Sequence, residues 1–344
     1  MGRGITWRTF LTCRVRSLAN TVNGIWPSIQ TSVKAARKST CATVTWLVAA
    51  AVLTSLPAFA QRGMGFNPTG MWTAMYHEDE LERTDPGPAP GDYLGIPIND
   101  DERLRADTWD GDTVSVLQHQ CIPHSAPYAM RGPSGLKIST VNDPVSGQII
   151  AFIIDGTYTG PRTIWMDGRE HPSQFAPHTW AGFSTGAWEG DTLRIETTHI
   201  KAGYLRRNGI AFSDEATLTE FFDLHDKYLT LATITEDPVY LTEPLVRTES
   251  WVWNPYQTFA PIAGYGSCLP VTEIPRPYGW VPHHLPGTNT VLHEFSEEYG
   301  VPYEASRGGP ETMYPEYRKK LKQMAIPHPK VFEVQFEQEH RKKP

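Results

Sequence analysis

Cysteine is scarce: the chain has four in 344 residues, and two of them, Cys13 and Cys41, fall within the first sixty. There is no C-x-x-C, no Walker loop and no dinucleotide fingerprint. Those absences argue against thioredoxin-like redox chemistry and against nucleotide use that depends on such a loop. The twelve histidines include no H-x-H and no H-E-x-x-H, so no ready-made metal motif is present. After residue 60 no apolar run approaches the roughly 20 residues needed to cross a bilayer, so no membrane span is expected in the mature chain.

Acidic residues are missing from 1–43, where seven basic ones stand. An apolar stretch at 44–56 follows, too short to span, and Ala58-Phe59-Ala60 supplies an A-x-A cleavage site. Residues 1–60 therefore read as a signal peptide, with the mature protein starting at Gln61 in the periplasm or outside the cell. Loss of the seven charges takes the net charge from −7 to −14. So acidic a protein is a poor partner for nucleic acid or anionic lipid. Cys121 and Cys268 remain as an even pair in an oxidising compartment, and a disulfide between them is expected. In the chain-entropy view it would contribute about 4–5 kcal/mol.

What is abundant is proline and glycine, 29 and 28 residues, widely scattered. That spacing favours short strands and irregular loops over long helices. Strands are expected at 69–75, 113–119, 135–141, 148–154, 157–166, 179–188, 191–199, 216–224, 228–236 and 245–253. Asn142-Asp143-Pro144-Val145-Ser146-Gly147 and His225-Asp226-Lys227 read as hairpin turns. At 149–154 the run is apolar throughout, as suits a strand covered on both faces. Residues 191–199 alternate, placing Leu193, Ile195, Thr197 and His199 on one face. Short helical turns are expected at 81–84 and 100–107, and helices at 290–299 and 311–324. The fold expected is mainly β: an antiparallel calycin-like barrel, or a sandwich, with a short C-terminal helical segment. Residues 61–112 form a first strand and an ordered loop arm, 113–254 the barrel core, and 255–344 a proline-rich wrap with helices packed on the barrel.

Two resemblances bear on this. Gly70-Met71-Trp72 resembles the G-x-W of the lipocalins' first strand, and Gly186-Ala187-Trp188 matches the same pattern. Segments 162–172 (RTIWMDGREHP), 182–197 (GFSTGAWEGDTLRIET), 203–214 (GYLRRNGIAFSD), 237–248 (DPVYLTEPLVRT), 281–289 (VPHHLPGTN) and 308–317 (GGPETMYPEY) together resemble a large group of exported bacterial proteins of unassigned function. The likeness implies export and a β-rich fold and carries no catalytic role with it.

Four clusters could carry chemistry. Asp167, Arg169, Glu170, His171 and His178 crowd one segment, where a histidine–carboxylate pair would suit proton transfer near neutrality. His171 is the candidate proton carrier, Asp167 its orienter, His178 a further catalytic candidate, and Arg169 or Arg206 an oxyanion holder. Alternatively, His171, His178 and His199 could hold one divalent transition metal; otherwise no cofactor is expected. Tyr204-Leu205-Arg206-Arg207-Asn208-Gly209 offers paired arginines for an anionic or sugar-like ligand, or is an exposed turn. His283-His284 sit stiffly between prolines, and at most one of them can face a given site. Trp180, His199, Arg206, Arg207, Tyr240, His283 and His284 are the candidate ligand contacts. The expected function is acid–base chemistry on a small organic substrate in a barrel pocket, of lyase, hydratase, isomerase or hydrolase type. The alternatives are a metal-dependent enzyme and a non-catalytic periplasmic binding protein.

Overall fold

The computed structural model describes residues 65–76, 80–83, 87–112, 120–131, 135–156, 160–257, 271–272 and 274–325. The expected signal segment, the strand expected at 113–119 and the Cys121–Cys268 bridge, through Cys268, lie outside the described residues.

Eleven strands follow in chain order: β1 (Gly70–Met75), β2 (Leu136–Asn142), β3 (Ile149–Gly156), β4 (Arg162–Trp165), β5 (Phe183–Glu189), β6 (Thr192–Thr198), β7 (Gly203–Tyr204), β8 (Ala211–Phe212), β9 (Thr217–His225), β10 (Tyr228–Glu236) and β11 (Leu245–Trp253). Nine close into a barrel in the order β1-β11-β10-β9-β6-β5-β4-β3-β2, while β7 and β8 pair separately. The turn between β2 and β3 forms as its residues require. Asp143 Oδ1 accepts from the amides of Val145 (2.9 Å) and Ser146 (2.6 Å), and Gly147 takes φ 71°.

The antiparallel expectation fails at one place. β4 and β5 run parallel, with Ile164 opposite Ser184 and Trp165 opposite Thr185. A parallel neighbour must begin at the same end as its partner, so the chain between them has to travel back along the barrel. Residues 166–182 therefore form a crossover and are not a loop held at one end. The covering of 149–154 is also partial: Ala151 and Phe152 are buried, whereas Ile149 is 41% exposed.

Inside the barrel the composition changes with depth. At the lower end Trp72, Leu136, Phe152, Ile164, Leu193, Phe222, Leu229 and Trp251 form one apolar cluster. Trp72 satisfies its buried indole by donating to the carbonyl of Pro68 at 2.8 Å. Toward the upper end, where β9 and β11 begin, inward positions carry Thr197, Glu220, Thr233 and Glu249. A plug closes that end. It contains α1 (Glu80–Arg83), α2 (Asp100–Asp107), α3 (Ala126–Ala129) and the β7–β8 hairpin. A second apolar cluster of Tyr93, Ile98, Ala126, Leu205, Phe212, Leu218 and Leu245 joins the plug to the strands. α2 is started by Asn99, whose side chain accepts from the Glu102 amide at 3.0 Å. Gly203 lets the hairpin seat against α3, because a Cβ there would meet Ser125 Oγ at 2.4 Å.

The C-terminal segment docks on the arm. α4 (Glu294–Tyr299), α5 (Tyr303–Ser306) and α6 (Pro315–Leu321) are separate short helices. The amide of Tyr93 donates to the Ser306 carbonyl at 2.8 Å, and Arg307 pairs with Asp107. The helix expected over 311–324 is broken before Pro315, which sits at the first turn of α6, where a missing N–H costs nothing.

Candidate functional site

The histidine-rich crossover lies on the outer wall of the barrel. Ser184 and Thr197 are buried inward residues, so Thr185 and Thr198, one step along, face outward. His171 sits on that outer face, with Nδ1 2.8 Å from Thr198 Oγ1 and Nε2 2.8 Å from Thr185 Oγ1. Thr198 Oγ1 is also 2.7 Å from His199 Nδ1, and His199 Nε2 lies 2.9 Å from the Ser173 carbonyl. A carbonyl only accepts, so His199 donates through Nε2 and, when neutral, accepts at Nδ1 from Thr198. Thr198 oxygen then accepts from His171 Nδ1–H, and His171 Nε2 accepts from Thr185. The four groups form a continuous hydrogen-bonded chain that ends on the Ser173 carbonyl. Burial lowers the His171 pKa first; Glu196 opposes this and His199 adds to it.

Asp167 does not orient His171. Its carboxylate takes Arg169 Nε at 2.9 Å and Nη2 at 2.6 Å, and the same guanidinium stacks 3.4 Å from the Trp165 ring centroid. That pairing holds the Asp167 carboxyl below its usual range. The alternative metal site of His171, His178 and His199 is not assembled either. His178 Nδ1 is committed to the Ile200 carbonyl at 3.1 Å, and among the described residues no group of three His, Cys, Asp or Glu side chains could hold an ion. His199 is not on the apolar face of β6. It lies just past the strand at φ 56°, which swings its ring out over the crossover, 5.3 Å from His178.

Arg206 is buried and its two terminal nitrogens are engaged, donating to Asp92 (O at 2.5 Å, Oδ2 at 2.7 Å) and pairing with Glu82 at 3.0 Å, while its Nε has no hydrogen-bond partner among the described residues. It locks the β7–β8 hairpin into the plug and is not presented to ligand. Tyr240 lies against Arg105 and clips α2 through Asn99, whose amide donates to its carbonyl at 2.9 Å. His283 is exposed, and His284 is held by its amide to the Thr108 carbonyl at 2.8 Å. Arg207 lies beside Gly87, and its charge reaches His124.

Trp180 does reach a cavity. The crossover ends as a short parallel bridge: the Thr179 amide donates to the His199 carbonyl, and the Lys201 amide to the Thr179 carbonyl, both at 2.9 Å. Gly182, at φ 69°, lets the chain pass within 2.7 Å (as a notional Cβ) of Thr197 Cγ2. The Trp180 carbonyl accepts from the Ala126 amide at 3.1 Å, tying the crossover to α3. Between them lies a cavity of about 330 Å³, lined by His124, Ala129, Met130, Ile154, Arg162 and Trp180 among others. His171 therefore pins the crossover to the outer wall, while the Thr179 bridge and the Ala126 bond hold the part that carries Trp180.

Two polar groups enter this apolar space. His124 packs 4.8 Å from the Tyr128 ring, and burial first, then the Arg207 charge, press its pKa down to about 4. Its imidazole is therefore neutral near pH 7. Arg162 comes from the inward face of β4. Its Nη1 donates to Glu220 Oε1 at 2.9 Å, Nη2 to Thr197 Oγ1 at 2.7 Å and to Glu220 Oε2, and Nε to Ser184 Oγ at 3.2 Å. Of the five N–H donors of a guanidinium this leaves one, on Nη1. Ser184 lies in Gly182-Phe183-Ser184-Thr185-Gly186, which has the spacing of a nucleophile elbow. The residue is the second of β5, fully buried and bonded to Arg162 and Thr197, so it lacks the exposed strand-to-helix turn that the elbow requires.

His124, Arg162 and Glu220 are absent from the site expected from sequence. Glu220 carried a signal: it stands between Leu218 and Phe222 on the apolar face of an alternating strand. A lone carboxylate there requires a buried partner. Comparison with protein-family models, curated proteins and solved structures finds no match.

Proposed function

We propose that this protein is an exported binder of small, largely apolar organic molecules, and that the cavity beneath Trp180 is its ligand site. The observation that carries the reading is a partly open cavity of about 330 Å³ with mainly apolar walls and two polar groups, His124 and Arg162, in its lining. Ligand sites have this size and make-up. A planar ligand would lie against Trp180 and offer one acceptor oxygen to Arg162. Export rests on the basic leader, the 44–56 apolar stretch and the Ala58-Phe59-Ala60 site.

An acid–base enzyme using the same cavity is the second reading, favoured by the buried imidazole. A base with a pKa near 4 is a weak proton acceptor at neutral pH, whereas catalytic bases sit near the working pH. Binding is therefore the better fit. The neutral dye N-phenyl-1-naphthylamine tests it: one equivalent should bind with enhanced fluorescence, and Trp180→Ala should abolish the enhancement. A dye signal that is absent from the native protein, or equal in the variant, refutes the site.

A further inference from the structure

Met130 and Arg131 are consecutive, yet they line different cavities. Met130 faces the space under Trp180. Arg131 faces a second, more open cleft of about 710 Å³, lined by Glu82, Leu94, Ile96, Leu245, Arg247 and Met313 among others.

The arginines here are not equivalent. Arg131 Nη1 is 2.6 Å from Glu249 Oε1, and its Nη2 is 3.1 Å from Glu82 Oε2. Arg206, behind it, takes Glu82 Oε1 and Asp92. All three carboxylates thus contact these two guanidiniums, while the second oxygen of Glu249, Oε2, is buried without a hydrogen-bond partner among the described residues. Arg247 is placed by register on the inward face of β11, between Leu245 and Glu249. Its Nη1 donates to the Leu205 carbonyl at 2.7 Å, and among the described residues no carboxylate forms an ion pair with it. Burial first, then the Arg131 charge, press its pKa down to about 9, so it remains cationic at neutral pH. Its Nε–Nη2 edge, the fork that grips a carboxylate with two parallel bonds, has no protein partner among the described residues. Apolar side chains surround it: Ile96 and Leu245 are buried, while Leu94 and Met313 stand exposed at the rim.

We propose that this cleft is a second ligand site, for a molecule with an apolar body and one carboxylate, the carboxylate held by Arg247. The body would lie on Ile96, Leu245, Leu94 and Met313. The charges of Glu82 and Glu249 also reach Arg247, which disfavours a dianion such as phosphate. The proposal does not depend on the cavity under Trp180.

Titration calorimetry with hexanoate, and with 1-hexanol as its neutral counterpart, tests it on the mature protein. Hexanoate should bind more tightly than hexanol. Arg247→Gln should weaken hexanoate by at least about tenfold, as loss of a charge-assisted pair does, and leave hexanol unchanged. Met313→Glu, at an exposed rim position that folding tolerates, should also weaken hexanoate, by removing apolar contact and adding like charge. Trp180→Ala should leave it unchanged. Equal hexanoate affinity in the wild type and either cleft variant would overturn the proposal. So would hexanoate binding no tighter than hexanol, or hexanoate binding lost in Trp180→Ala.

Discussion

Acid should loosen the plug through His124. The ring is only 7% exposed, and its folded-state pKa of about 4 lies below the 6.5 of a free imidazole. On acidification the unfolded chain takes up a proton near pH 6.5, while the folded chain resists until about pH 4. Across that window the unfolded state binds more protons, so stability is present above 6.5 and is lost as the pH falls. The whole gap is equivalent to about 3 kcal/mol, of which about 2.5 kcal/mol is lost by pH 4.5. His124→Gln keeps a polar group of similar size and removes the titration. Urea unfolding of both proteins at pH 7.5 and pH 4.5, followed by tryptophan fluorescence, isolates the effect. Other titrating groups, such as Glu102, contribute equally to both proteins and cancel. The wild-type advantage over the variant should shrink by about 2.5 kcal/mol between the two pH values. If the two proteins lose stability in parallel, the ring titrates as an exposed histidine, and the argument that the cavity holds it neutral is wrong.

Glu220→Gln leaves Arg162 charged in the barrel without its carboxylate, and urea unfolding should show a loss of about 3–5 kcal/mol. The pair Arg162→Met with Glu220→Leu should recover most of it, because no charge is then buried. His171→Ala should cost about 1–2 kcal/mol for its two hydrogen bonds and leave dye binding in place, the reverse of what a proton carrier would show. Glu102, buried and pushed up to about 7, makes folding less favourable as the pH rises from 4.5 toward and beyond 7. Glu102→Gln should flatten that fall in a pH series of melting temperatures. Mass spectrometry of exported protein should give a chain starting at Gln61 with Cys121 and Cys268 joined. Two free thiols, or an intact leader, would contradict it.

Strands were legible where local signals agree. β10 and β11 span the very residues expected, because each alternates and is bounded by turn chemistry. α2 also matches, marked by Asn99 and three acidic residues in its first turn. The site was less legible. The density of charge around His171 was visible, but whether that segment lies inside or outside the barrel depends on β4 pairing parallel to β5. Two short β-runs do not encode that choice. Arg206 looked available because its partners, Asp92 and Glu82, are more than a hundred positions away in sequence. Trp180 was anticipated as a ligand contact, and the fold does bring it to a cavity.

By itself the sequence determined most of the barrel strands, the two hairpin turns and the β-rich class, since period-two alternation and turn preferences act within a few residues. Only the tertiary structure decided the rest. Closure of nine strands placed Arg162 against Glu220 across 58 positions, and put the hydrogen-bonded histidines on the outer wall. Docking of the plug enclosed His124 and left Arg247 without an ion-pair partner among the described residues. Cavities and ion pairs belong to side chains that meet only after long-range closure. Their partners are therefore set by the geometry of the whole barrel, not by neighbours along the chain.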